Sequence, residues 1–283
     1  METKPVPTPI LVWIKGGGDL GTGVAHRLHR AGLRVVVSEL PQPLVVRRTV
    51  SFASAVFEGQ ITVEGMQARL APDRTEIVEQ LTRGIVPVVP DPSGEIVSAL
   101  QPDALVDARM AKRNLGTTLR DAPVVIGLGP GFIAGEDVHA VIETMRGHDL
   151  GRVILEGSAE LDTQVPAPIQ GYGQERLLRA PCAGVFRSQL RIGEPARQGQ
   201  VIAEVAGQPV VSNIAGILRG LLRDGLTVYP QQKVGDIDPR GTYKHCFSIS
   251  DKARAIGGGV LEALLYLGRN RWSVSWHLTT KAS

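Results

Sequence analysis

After a short polar lead the chain runs apolar without a break from Ile10 to Ile14, then stops at Lys15 and a cluster of glycines. A run this short, closed by a turn signal, predicts a buried strand. Helical periodicity covers 20–31, Gly32 supplies the stop, and 33–38 is again apolar enough for a strand. The alternation continues with a helix over 74–83 and a strand over 85–89 halted by Pro90-Asp-Pro92. Two more strands follow at 104–107 and 123–127, then a helix from Glu136 and a strand over 152–155. Strands alternating with helices predict an α/β first domain, 1–160, built on a Rossmann-like parallel sheet.

Residues 164–173 are rich in Pro, Gly and Gln and predict a linker, drawn at 161–178. Beyond it the chain repeats itself at an offset of 32 positions: Ala183-Gly-Val-Phe-Arg187 matches Ala215-Gly-Ile-Leu-Arg219, Gly193 matches Gly225 and Gln200 matches Gln232. Two copies of short strands joined by glycine turns resemble the lipoyl/biotinyl carrier fold, which predicts a barrel-sandwich module over 179–240. The hairpin that would carry the modified lysine reads Ala206-Gly-Gln-Pro209, so covalent biotin or lipoate is not expected. Helical periodicity returns after Ser250 and runs from Ile256 through Leu267, predicting a helix in 241–268 that packs back on the first domain and makes the β module an insertion. Gly257-Gly-Gly259 lies inside that helix at roughly 1 kcal/mol per glycine, a cost that close packing or a ligand usually offsets. The tail, 269–283, is assigned no function.

Composition narrows the function classes. At 283 residues and 43% hydrophobic content the chain can bury a sizeable core. A formal charge of +3 from 31 basic and 28 acidic residues is too mild for nucleic-acid binding, and 4% aromatics leave little for base stacking. Cys182 and Cys246 form neither a disulfide framework nor a zinc site, and they suit a reducing cytoplasm. The Ile10 run is too short to span a bilayer and lacks a basic lead of the secretory kind.

Three loops should reach one edge of the predicted sheet, where open α/β sheets bind ligands. The first is Gly16-Gly17-Gly18-Asp19-Leu20-Gly21, a Gly-x-Gly-x-x-Gly between strand and helix. Gly16 would turn the chain, Gly18 would let phosphates approach the backbone, and Gly21 would let the helix pack closely. Glu39, eighteen positions past Gly21, stands near the usual place of an acid that binds a ribose hydroxyl and favours NAD, whereas Arg47 and Arg48 would reverse that preference. The second loop carries Asp107, Arg109, Lys112, Arg113 and Asn114, an acid and three cations suited to an anion or equally to a solvated face. The third carries Gly127, Gly129 and Gly131, which also suit plain turns. His139 and Cys246 read as packing residues before they read as a base or a sulfur carrier. No metal-ligand spacing and no catalytic residue is assigned.

Several segments together are more specific than any one: Ile14-Lys-Gly-Gly-Gly-Asp-Leu-Gly-Thr-Gly23, Arg47-Arg-Thr-Val-Ser-Phe52 after Pro41-Gln-Pro43, Val106-Asp-Ala-Arg-Met-Ala-Lys-Arg-Asn114, Ile126-Gly-Leu-Gly-Pro-Gly-Phe132, Val234-Gly-Asp-Ile-Asp-Pro-Arg240 and Ala255-Ile-Gly-Gly-Gly-Val-Leu-Glu262. From about Leu11 to about Leu267 the chain resembles the YqeB-type accessory family of selenium-dependent molybdenum hydroxylases. The resemblance implies a cytoplasmic maturation protein related to XdhC-type chaperones, with a molybdenum hydroxylase client and a molybdopterin dinucleotide or NAD(P) on the glycine loop. It carries over no catalytic residue. The alternatives are an NAD-dependent oxidoreductase and a non-catalytic docking protein.

Overall fold

The computed structural model describes residues 10–163 and 165–272. The first sheet is built from β1 (Leu11–Lys15), β2 (Arg34–Glu39), β3 (Gln60–Val63), β4 (Met66–Leu70), β5 (Val86–Pro90), β6 (Ala104–Asp107), β7 (Val124–Leu128), β8 (Ala140–Ile142) and β9 (Val153–Ile154). Its spatial order is β3-β4-β5-β2-β1-β6-β7-β8-β9. The seven inner strands are parallel, while β3 and β9 close the edges antiparallel. Side chains alternate across the sheet. Val12, Ile14, Val35 and Val37 pack under α1 (Asp19–Arg30) and the final helix, whereas Leu11, Trp13, Val36 and Val125 pack under the opposite layer. With both faces buried, the inner strands read as near-continuous apolar runs.

The helices number fewer than an α/β alternation requires. After α1 come α2 (Ala55–Glu58), α3 (Arg74–Thr82), α4 (Glu95–Ser98) and α5 (Asp251–Gly268). The crossovers from β6 to β7 and from β7 to β8 contain no helix. The helix expected from Glu136 is absent: Ile133 N donates to Asp137 Oδ2, Gly135 turns at φ +92°, and the apolar residues that follow become buried β8. The expected Rossmann-like parallel sheet is therefore corrected to a large mixed sheet, short of crossover helices and edged by an antiparallel hairpin.

The β module is corrected likewise. Its strands are β10 (Leu177–Arg179), β11 (Gly184–Ser188), β12 (Pro195–Ala196), β13 (Val201–Val205), β14 (Gln208–Val211), β15 (Gly216–Leu221), β16 (Thr227–Val228) and β17 (Lys233–Asp238). They form two four-stranded antiparallel sheets, β10-β17-β15-β12 and β14-β13-β11-β16, in place of the expected lipoyl/biotinyl-like barrel-sandwich. The repeated motifs fall on β11 and β15, one in each sheet. Phe186, Ile202, Leu218 and Ile237 fill the space between them.

α5 begins at Ser250, whose side chain accepts from Ala253 N, and lies beside α1. The approach is close: a Cβ on Gly23 would stand 2.6 Å from that of Ala253. Part of the tail, 273–283, lies outside the described residues.

Candidate ligand-binding cleft

Chain order reverses direction at β1, which sits between β2 and β6, and a crevice opens at the carboxyl ends of these strands. A cleft of about 640 Å³ occupies it, within the range that small-ligand sites span. Of the sequence-predicted residues, Gly16, Gly18, Asp19, Leu20, Glu39 and Arg109 line it.

The glycines divide the work. Gly16 turns at φ +98° and donates its N–H to Ser38 O at 2.8 Å. Gly17 lies behind the wall, where a Cβ would press on Ala53 N at 2.8 Å. Gly21 packs against Gly16 O, the close helix approach expected of it. Gly18 alone is open: a Cβ there would have Val45 Cγ1, at 3.7 Å, as its nearest neighbour. It is also the N-cap of α1, and no side chain caps the helix there. The first-turn N–H groups, which lack intrahelical partners, thus stand at the cleft.

Glu39 accepts from Gly17 N through Oε2 and from Leu40 N through Oε1, both at 2.8 Å. Burial raises its pKa, and those two N–H groups partly counter the rise. Trp13 donates Nε1–H to Ser38 Oγ at 2.8 Å, and Lys15 Nζ stands 4.6 Å from the Trp13 ring centroid. Lys15 pairs with Asp121 at 3.1 Å. Asp107 is buried behind the wall and holds Arg109 at 2.5 Å, while Thr117 Oγ1 donates to the same carboxylate at 2.7 Å. Met110 and Lys112, in the loop above, adopt left-handed backbone at φ +54° and +61°.

The remaining predicted residues lie off the cleft. Lys112 pairs with Asp162 at 2.5 Å, and Asn114 Oδ1 accepts from Gly116 N and Thr117 N. Gly127 accommodates the Phe132 ring, Gly129 lies against Thr144, and Gly131 lets its loop approach the Arg113 backbone. Arg47 and Arg48 donate to carbonyls of His245 and Leu221 and do not line the cleft. His139 Nδ1 accepts from Val125 N, and burial lowers its pKa. Cys246 is buried with its pKa raised by burial, the setting of an inert thiol.

Sequence reasoning missed the wall opposite the glycine turn. Leu44, Val45 and Leu115 supply apolar surface, and Asp91-Pro-Ser-Gly94 forms a turn at the end of β5. The signal was Pro90-Asp-Pro92, read only as a stop. Buried Asp91 accepts from Gly94 N and Val97 N at 3.0 Å each, which fixes Gly94 against the Trp13 ring. Replacing Asp91 with alanine is expected to destabilise the protein by about 2 kcal/mol by leaving those N–H groups unpaired. Urea denaturation checks this, and an unchanged midpoint would mean the turn holds without the carboxylate.

No family model matches the chain. It is 51% identical over 257 residues to the Escherichia coli (strain K12) protein described as "Uncharacterized protein YqeB", an alignment covering 91% of this chain and 48% of that protein. The chain thus spans about half the length of the curated relative it matches. Among solved structures it is similar to an aspartoacylase family protein of Mesorhizobium loti (12% identity, 81% and 84% of the two chains, TM-score 0.27). A succinylglutamate desuccinylase of Silicibacter sp. matches at 15% identity, 82% and 85% coverage and TM-score 0.24. The product-bound ectoine utilization protein EutE (DoeB) of Ruegeria pomeroyi matches at 15%, 81% and 85%, and 0.24. At these TM-scores the likeness carries no argument about chemistry. The mixed sheet, short of crossover helices, withdraws the expected labels Rossmann and XdhC-like, and these neighbours are described as aspartoacylase- and desuccinylase-type proteins. Among the described residues no helix is long and apolar enough to cross a membrane, and no cluster of three or more His, Cys, Asp or Glu side chains is placed to hold a metal.

Proposed function

We propose that the cleft binds a nucleotide-type ligand, with a phosphate against the first turn of α1 and a planar ring between Leu44 and Leu115. The observation that carries this reading is the uncapped α1 N-terminus at Gly18, open to a cavity at the point where chain order reverses. Glu39 supports a ligand hydroxyl nearby, because each of its oxygens accepts one backbone N–H and keeps lone-pair capacity. The pairing of Arg47 with Asp19 and the His245 carbonyl, and of Arg48 with the Leu221 carbonyl, supports NAD over NADP within this reading. Molybdopterin dinucleotide, the ligand implied by the family resemblance, is the other candidate, and a molybdenum hydroxylase client would follow from its binding. Two unpaired cysteines support a cytoplasmic setting.

Calorimetry with NAD, NADP, ATP, CTP and molybdopterin cytosine dinucleotide tests the reading on the wild type and on Gly18→Trp. One ligand is expected to bind the wild type and to lose about 100-fold, or roughly 2.7 kcal/mol, in the variant. Preference for the pterin dinucleotide supports the accessory role, whereas NAD binding with turnover of a small substrate supports an oxidoreductase. Failure of all five to bind overturns the reading.

A further inference from the structure

The wall of the cleft and the segment that docks the β module are one piece of chain. Leu44 and Val45 line the cleft, and the next residues clamp the module. Val46 O accepts from Leu221 N at 2.7 Å, and Arg48 Nε donates back to Leu221 O at 2.7 Å. This strap, 44–49, meets the edge of β15 at Leu221, beyond Leu218, where the backbone bonds from β12 and the residues before it end. Val46 and Phe57 pack into the module's core, and Thr49 Oγ1 donates to Cys246 O at 2.5 Å.

The strap also reaches the other side of the cleft. Arg47, 8% exposed, directs Nη1 to Asp19 Oδ2 at 3.5 Å, and Asp19 opens α1 at the glycine turn. Its Nη2 donates to His245 O at 2.8 Å, in the segment between the module and α5. Val45 is therefore joined directly to a residue clamped on β15, and the residue after that one is tied by its guanidinium to the α1 N-terminus. Interfaces packed in this way shift between discrete arrangements rather than deforming by degrees.

We propose that strap 44–49 couples the cleft to the β module, so that a ligand in the cleft and the module docked on the strap stabilise one another. The effect on ligand affinity rests on the reading of the cleft as a nucleotide site; the mechanical link does not. Ligand contacts with Leu44 and Val45 exist only while the strap is clamped, which supplies the differential interaction that coupling requires. Coupling of this kind is reciprocal.

Hydrogen exchange on the full chain tests it in two arms. The first arm needs no ligand and uses Gly220→Val, because a Cβ there would stand 3.2 Å from Val46 O. Arg48→Ala, which removes one clamp bond, serves if the valine variant fails to fold, and Tyr229→Ser on the exposed module surface is the control. Faster exchange is expected at amides of both 44–49 and 16–20 in the strap variants and not in the control. Acceleration confined to 216–222 would overturn the link. In the second arm millimolar NAD is expected to slow exchange at Leu221, and the strap variants are expected to bind NAD about 10-fold more weakly. If NAD protects the glycine turn but not Leu221, coupling is overturned while the binding reading stands. If NAD protects nothing, NAD is excluded as the ligand and the first arm alone decides the link.

Discussion

Gly259→Ala is expected to destabilise the protein by about 3 kcal/mol, whereas Gly258→Ala, one residue earlier in the same helix, is expected to stabilise it by about 1 kcal/mol. Three consecutive glycines inside an 18-residue helix look alike in sequence, and their surroundings separate them. A Cβ on Gly259 would overlap Gly151 O and meet Ile142 Cγ2 at 3.1 Å, so the loop before β9 would have to move off α5. Gly151 is itself at φ +86°, with a Cβ there only 2.7 Å from Ala255 O, and it has little room to retreat. Gly257 is intermediate: its Cβ would meet Gly23 O at 2.9 Å, and α1 would have to shift against α5. A Cβ on Gly258 meets nothing within 4 Å. Alanine there therefore gains helix propensity without a clash. Urea denaturation of the three single variants checks the order, and a Gly259 variant as stable as the wild type would mean that α5 does not lie on Gly151 as described.

The same comparison shows what the sequence could and could not reveal. β1, β2 and β6 were legible because each is a short apolar run closed by a turn residue, and both of their faces are buried. The glycine turn was legible because Gly16 needs positive φ and Gly21 needs the space of a hydrogen atom, two demands that leave a spacing in the chain. The β3–β4 hairpin was missed: its turn is Glu64-Gly65, with both residues at positive φ, where Asn-Gly would have been the stronger signal. The helix expected from Glu136 failed because an acidic pair near a predicted helix start is also what a hydrogen-bonded turn uses, and Asp137 takes the latter role. Half of the cleft was invisible for a different reason. Leu44, Asp91 and Leu115 come from segments brought together by sheet order, and no local period announces sheet order. The partners that hold Lys15 and Arg109 away from a bare anion-clamp geometry, Asp121 and Thr117, are likewise distant or unpatterned in sequence.

Asp238→Ala is expected to destabilise the protein by about 3 kcal/mol, because it unpairs Arg240 and removes one of the two carboxylates, with Asp236, whose charge reaches the buried Arg219 guanidinium. Asp238 is fully buried at the end of β17. It accepts from Arg240 N at 3.1 Å and from the Arg240 guanidinium at 2.9 and 2.6 Å, and it lies 3.8 Å from Arg219 Nε. Arg240 is partly exposed and can turn to water, whereas Arg219 cannot. Burial, followed by the charge of Arg47, already lowers the Arg219 pKa, and loss of Asp238 would leave Arg219 facing Arg47 with less compensation. Asp238→Asn separates charge from shape, since it keeps an acceptor for Arg240 N and removes the anion. The pH dependence carries a sign. Burial acts to raise the Asp238 pKa, but the Arg240 hydrogen bonds and the nearby guanidinium charges outweigh it and hold it below the usual carboxylate value. A group whose folded pKa is depressed contributes stability above its unfolded pKa of about 3.9 and loses it as pH falls through the folded value. The gap between wild type and Asp238→Asn is therefore expected to be full at neutral pH and to narrow below about pH 4. Urea midpoints at neutral and acidic pH measure it. A gap that is constant with pH would show that Asp238 acts by packing alone, and the joint between the β module and α5 would then not depend on its charge.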